Sequence, residues 1–281
     1  MGRILVLGST GNVGSAVVNE LARAGASVRA ASRDPAKATV PAGVEKVRFE
    51  YTAPETFAPA LAGVDTVFLL APAGHADTFA LTAPFVELAT KQVKKIVVMT
   101  ASGVEFNDAA PLRKIELAVE KSGVKYVFLR PNWFMDNFHT YWLAPIRQAG
   151  VIPVPAADAK SAFIDSRDIG AVAAAVLLTD KYDGKGITVS GAEALSYGEA
   201  AAILSKAAGR EIKYAPVEDG PFHQSLVQAG LSEDYAGLLT ALFGFVRQGF
   251  AAAPSATVQE ITGKPARTLA QYAADHAAVW K

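Results

Sequence analysis

Along the first half of the chain, short runs of apolar and β-branched residues alternate with longer amphipathic stretches. The short runs predict strands over 3–7, 27–31, 46–50, 66–70, 95–100 and 125–129. Val67-Phe68-Leu69-Leu70 and Ile96-Val97-Val98-Met99 are apolar without alternation, as in a sheet covered on both faces. Between the runs the period lengthens. Over 13–24, Val13, Val17, Val18, Leu21 and Ala22 share one helical face, and Gly25 ends the stretch as a C′ glycine. Further helices are predicted over 75–90 and 112–121. Strand and helix in repetition imply parallel strands joined by right-handed crossovers, an α/β doubly wound sheet of the Rossmann type.

From about Asn132 the rhythm changes: aromatics gather, and Pro153 and Pro155 interrupt the chain. Strands are predicted over 186–190 and 211–215. Ser196-Tyr197-Gly198-Glu199 matches a capping box, so a helix should run from there to Ala208. Asp168 is expected to cap a helix over 169–178, and 221–250 reads as helical and rich in aromatics. The chain thus divides into a dinucleotide-binding domain over 1–131 and a smaller α+β substrate lobe over 132–281. The two are interleaved, with no clean linker.

Composition narrows the function classes. Of 281 residues, 51% are hydrophobic and 19% charged, so a large core is possible. The net charge is zero and no basic cluster exceeds Lys94-Lys95, which argues against direct nucleic-acid binding. There is no cysteine, and His75, His139, His223 and His276 lie far apart, so no metal site is expected. No G-x-S-x-G elbow is present. Glycine interrupts the first apolar run too soon for a secretory leader, and the longest uncharged helical run, 169–179, is too short for a bilayer. A cytoplasmic protein with no membrane partner is the expectation.

Gly8, Gly11 and Gly14 follow a predicted strand and open a predicted helix. Gly8 allows the tight turn, Gly11 lets a pyrophosphate approach the backbone, and Gly14 lets the helix pack close to the strand. Ser9, Thr10, Asn12 and Val13 complete the loop. An NAD-preferring site usually ends the second strand in Asp or Glu. Here it ends Ala31-Ser32-Arg33, so Arg33 can pair with a 2′-phosphate, with Lys37 one turn on. The cofactor expected is therefore NADP(H) in preference to NAD(H), against the alternative that Arg33 is a solvated charge. Asp34 is read as capping the turn before Pro35. Ligands sit past the carboxyl ends of such strands, which places Leu70, Ala71 and Pro72, then Thr100 and Ser102, then Pro131, Asn132, Trp133 and Phe134 around the cofactor. Trp133 and Phe134 either wall the nicotinamide or pack between the lobes.

These pieces occur together with Leu129-Arg130-Pro131-Asn132-Trp133-Phe134-Met135-Asp136-Asn137 and Phe163-Ile164-Asp165-x-x-Asp168-Ile169. In that order they resemble the NmrA-like branch of the atypical short-chain dehydrogenases/reductases, over nearly the whole chain. The resemblance implies either an NADPH-dependent reductase of quinones or conjugated dyes, or a non-catalytic NADP(H)-sensing regulator acting through a protein partner. It also implies that 133–138 lines the nicotinamide side of the cleft. One departure stands out. Aligned on Glu116 and Ser122-Gly123, the Tyr-x-x-x-Lys pair of typical members is replaced by Asp108 and Leu112, and Lys114 reads as solvated. Carbonyl reduction through that pair is disfavoured, whereas a conjugated acceptor takes hydride directly and its proton from water or a mobile side chain. Phe134, Phe138, Tyr141 and Trp142 are candidates for stacking on a flat substrate. His139 and Tyr141 are two open candidates for proton donor. Asp165 and Asp168 read as helix-start residues, not as a catalytic pair.

Overall fold

The computed structural model describes residues 2–280. The elements in chain order are β1 (Arg3–Val6), α1 (Asn12–Arg23), β2 (Val28–Ser32), β3 (Glu45–Arg48), α2 (Phe57–Leu61), β4 (Val64–Leu70), α3 (Thr78–Thr90), β5 (Lys95–Met99), α4 (Pro111–Lys121) and β6 (Lys125–Pro131). There follow α5 (Leu143–Ala149), β7 (Val151–Ile152), β8 (Lys160–Ser161), α6 (Ser166–Leu177), β9 (Lys185–Val189), β10 (Leu195–Ser196), α7 (Tyr197–Ala208) and β11 (Lys213–Tyr214). Helices α8 (Asp219–Gln228), α9 (Glu233–Arg247), α10 (Thr257–Thr262) and α11 (Leu269–Asp275) follow, and a 3-10 turn over Ala277–Trp280 comes after them.

Seven parallel strands form one sheet in the order β3-β2-β1-β4-β5-β6-β9. The order reverses between β1 and β4, which creates the switch-point crevice of a doubly wound sheet. The predicted strand over 186–190 is β9. It pairs with β6 and so extends the first sheet from the second half of the chain. Helix α6 also returns to that sheet and lies against α1. A Cβ added at Gly170 would come within 2.5 Å of the Ala16 side chain, so glycine sets this close approach. Val13, Val17, Val18 and Leu21 of α1 are buried there with Val172 and Val176 of α6. The opposite face of the sheet is covered around Phe49, Phe57, Phe85, Ile115 and Val119.

A third core lies beyond the carboxyl edge, among Phe138, Trp142, Phe163, Tyr197, Phe243, Tyr272 and Trp280. Two short two-stranded sheets, β10-β8 and β11-β7, frame it. Ser196 caps α7 with a full capping box, as its spacing predicts. The predicted helix over 221–250 is two helices, α8 and α9. The cap of α6 is a correction: Asp165, not Asp168, is the N-cap and accepts the Arg167 amide at 2.8 Å. Asp168 sits in the first turn, ion-paired to Arg267 and accepting the Arg267 amide at 2.7 Å. Both carboxylates suit a helix N-terminus. Asp165 is also held by the Arg167 side chain at 2.6 Å, and Asp168 is engaged by Arg267, 99 residues away.

Candidate dinucleotide cleft

The loop after β1 has the backbone that its three glycines require. Gly8 has φ +60°, and a Cβ on Gly14 would lie 2.1 Å from the Gly8 carbonyl oxygen. Gly11 by contrast is exposed, and its added Cβ would meet only that same oxygen, at 3.4 Å. The close backbone packing therefore falls at Gly14, and an open face for a ligand falls at Gly11. Gly11 is also the N-cap of α1 and offers no side-chain acceptor, and no acid stands in the first turn. The first amides of the helix are left to an anion. Ser9 is buried and donates its hydroxyl to the Ala31 carbonyl at 2.9 Å, so it ties the loop to β2. Thr10 and Asn12 are exposed, and Val13 is core.

At the end of β2, the Ser32 hydroxyl is buried and has no hydrogen-bond partner among the described residues. Next to it Arg33 is exposed and pairs with no acid among them. Asp34 is held by Lys37 at 3.1 Å and accepts the Ala36 amide at 3.2 Å, so it turns the chain as expected. An orphaned hydroxyl and a free guanidinium side by side suit a phosphate ester.

Register carries the rim onward. Leu70 is opposite Met99, and Met99 opposite Leu129, so the ends of β4, β5 and β6 are adjacent. Leu70 packs against Gly8, whose added Cβ would be 2.9 Å from it; Ala71 and Pro72 are half-buried beside it. Ser102 is half-buried, and its amide donates to the Pro131 carbonyl at 2.9 Å.

Several side chains at the rim are committed elsewhere. Thr100 donates its hydroxyl to Glu116 at 2.7 Å. Asn132 donates to the Ala251 carbonyl at 2.9 Å and accepts the Trp133 amide at 2.8 Å, so its amide group holds the chain and does not offer itself to a ligand. Pro131 is buried inside β6. Trp133 is half-buried, with its ring 4.8 Å from Phe243, and Phe134 bridges to Ile164. Their packing role between the lobes is therefore filled.

Two predicted stacking residues are corrected. Phe138 is 0% exposed and Trp142 5%, and both lie within the third core against Tyr197. The aromatic run that marks this segment in the sequence is an interior, because α7 and α9 cover it. Tyr141 alone of the four stacking candidates is exposed, at 44%, with its hydroxyl 3.4 Å from that of Tyr235. Burial, then the Tyr235 contact, pushes its phenol above the ordinary range, so it is a poor acid. His139 bonds the Tyr272 hydroxyl and stacks on His276. Burial holds its imidazole below the usual value, so it is neutral at neutral pH and is no ready proton donor.

Glu116, an alignment anchor in the sequence, proves to be a buried hub. Glu116, on the buried stripe of α4 between Ile115 and Val119, is 0% exposed. It accepts from Arg130 at 3.0 and 2.8 Å, from Arg113 at 2.8 Å and from Thr100. Burial alone would raise this carboxyl, but hydrogen bonds from Arg130, Thr100 and Arg113 outweigh it and hold it below its ordinary value. Gly186 makes room for the hub, since a Cβ there would be 2.5 Å from the Arg130 guanidinium. A carboxylate at an apolar helical position was the available signal. Asp108 pairs with Arg113 at 3.1 Å, Leu112 packs on the core and Lys114 is exposed.

A glycine loop opening a helix at the switch point of a seven-stranded parallel sheet defines a dinucleotide-binding protein of the Rossmann class. The family model for NAD(P)H-binding matches residues 8–180, and that for the NmrA-like family matches 110–263. The chain belongs to the NmrA-like family of NAD(P)H-binding proteins. It is 34% identical to an NAD(P)H azoreductase of Xenophilus azovorans over 288 residues, covering 99% of each chain. It is 25% identical to an NADPH-dependent quinone oxidoreductase of Escherichia coli, solved with NADPH, at a TM-score of 0.82 over 97% of this chain and 98% of that one. A triphenylmethane reductase of Citrobacter sp., solved with NADP(H), matches at 25% identity and a TM-score of 0.80, over 98% and 99%. No helix of the described residues is long and apolar enough to cross a membrane.

Proposed function

We propose that this protein is an NADPH-dependent reductase that delivers hydride to flat, electron-poor conjugated acceptors of the quinone, azo or triphenylmethane type. The observation that carries the cofactor choice is the end of β2, where the orphaned Ser32 hydroxyl and the unpaired Arg33 stand where an NAD site would place an acid. Arg33 supplies charge-assisted hydrogen bonds to the 2′-phosphate. The loop from Gly8 to Gly14 and the α1 amides hold the pyrophosphate, and Leu70, Ala71, Pro72, Thr100, Ser102 and Phe134 border the path toward the nicotinamide. Bound NADPH supplies the hydride.

The acceptor chemistry follows from what the site lacks. Asp108 and Leu112 stand where a tyrosine and lysine would polarise a carbonyl. His139 is neutral and tied to Tyr272, and Tyr141 is a weakened acid. An electron-poor conjugated system needs no such acid: a quinone or azo group accepts hydride at one atom and a proton from water at another, and a triphenylmethane dye cation accepts hydride alone at its central carbon. The chain then contributes orientation and a shielded surface. The names of the azoreductase, quinone oxidoreductase and dye reductase that resemble this chain support the same reading.

The test is a panel of quinones, azo dyes and triphenylmethane dyes offered to purified protein with NADPH. Protein-dependent loss of NADPH absorbance with at least one acceptor is the predicted result. Tight NADPH binding with no loss against any member would contradict it and point to non-catalytic sensing.

A further inference from the structure

Phe106 is 81% exposed, the most exposed of the large hydrophobic side chains among the described residues. It closes a 3-10 turn, Val104–Phe106, in the loop that leaves the carboxyl end of β5. A ring left in water on a disordered loop would mean little. This loop is strapped down on both sides. Glu105 pairs with Arg130 at 3.3 Å, and Asp108 pairs with Arg113 at 3.1 Å. Both arginines close on the one buried carboxylate of Glu116, each at 2.8 Å. Glu116 in turn takes the hydroxyl of Thr100, the residue that follows β5. The hub thus fixes the strand end and the two flanks of the turn as one unit, and the unburied phenyl ring is at its tip.

We propose that Phe106 is a specificity-determining residue that stacks on the flat acceptor and forms one wall of its binding site. The inference rests on the reductase reading above. Position supports it: β5 is next to β4 in the sheet, on the carboxyl rim across which a dinucleotide at the β1–β4 switch point extends its nicotinamide. Chemistry supports it as well, because a rigidly held, solvent-facing ring matches an extended aromatic acceptor and gains little from a small polar carbonyl. The ring touches the acceptor only, and the hydride and proton balance of the reaction is unchanged by it.

The experiment compares the wild type with Phe106→Ala and Phe106→Trp, using 1,4-benzoquinone as a small acceptor and the azo dye methyl red as an extended one. Phe106→Ala is expected to raise KM for methyl red by roughly three- to tenfold. Its kcat, its NADPH affinity and its melting temperature should be unchanged, and its KM for benzoquinone, a single small ring, should rise less than its KM for methyl red. Phe106→Trp should restore the dye KM. Equilibrium dialysis of methyl red against NADP+-saturated protein gives a readout independent of turnover, with Phe106→Ala weakening binding by the same factor. Unchanged dye KM and dye binding in Phe106→Ala would overturn the proposal while leaving the reductase reading intact. A fall in NADPH affinity or melting temperature together with the dye effect would also overturn it, since the residue would then be structural. Absence of turnover by the wild type would sink the reductase reading, and dialysis would still decide the role of Phe106.

Discussion

Two residues carry the cofactor preference. Ser32 is buried with an orphaned hydroxyl, and Arg33 stands beside it in solvent with no acid to neutralise it. Arg33→Asp should weaken NADPH binding by about 1.5–3 kcal/mol, roughly ten- to a hundredfold, and leave NADH binding nearly unchanged. Titration of the two reduced cofactors, followed by their fluorescence, measures this; an equal loss for both would show that Arg33 reads no phosphate. At this scale the sequence was informative where backbone geometry dictates residue type. The Gly8 turn and the close packing of Gly14 need glycine whatever surrounds them. It was uninformative where a side chain's role depends on distant cover. Phe138 and Trp142 have the composition of a substrate wall, but α7 and α9, more than fifty residues on, bury them. Asp165 and Asp168 read alike as helix starters in the sequence, while the fold gives Asp165 the cap and engages Asp168 with Arg267 from the far end of the chain.

At the level of elements, α4 shows how a charge is made tolerable in a core. Its Glu116 would be costly to bury alone, but two arginines and a threonine complete its shell. The carboxyl is held below its ordinary value, so the unfolded chain takes up its proton at higher pH than the folded one. The stability from this group is therefore full above about pH 4.3 and is lost as pH falls through the lowered folded value. Glu116→Gln should cost roughly 3 kcal/mol at neutral pH, because it leaves Arg130 and Arg113 short of charge. The gap to wild type should narrow in acid, where the wild type loses the same contribution. Urea unfolding of both proteins across that range checks the sign; a gap that stays constant with pH would mean that the carboxylate charge contributes nothing. Helix α4 itself was legible from its apolar period. Its hub was not, because Arg130 lies on another element and no periodicity links the two.

For the whole molecule, the sheet is assembled from both ends of the chain. Strand β9 pairs along β6 and α6 covers α1, although both come after the first aromatic segment. The parallel sheet was legible in the alternation of strand and helix, but the seventh strand's place in it was not. A short apolar run carries no mark of the sheet to which it belongs, and long-range pairing assigns it. One consequence is testable. A fragment ending at Pro131 lacks Ile169, Val172 and Val176, which bury the apolar face of α1. It should show no cooperative thermal transition by circular dichroism, whereas the full chain should melt cooperatively. A cooperative melt of the fragment would mean that the first six strands are self-sufficient.

In the proposed reaction, hydride leaves NADPH for a flat acceptor at the carboxyl rim of this sheet. The direct measurement is a single turnover, in which NADPH-loaded protein is mixed with an equal amount of azo dye and both chromophores are followed. The prediction is that cofactor absorbance and dye colour fall together at one rate, and that NADH in its place gives a much slower decay. Full occupancy by NADPH with both signals unchanged would contradict the account and make the site a place where the cofactor is held but not used.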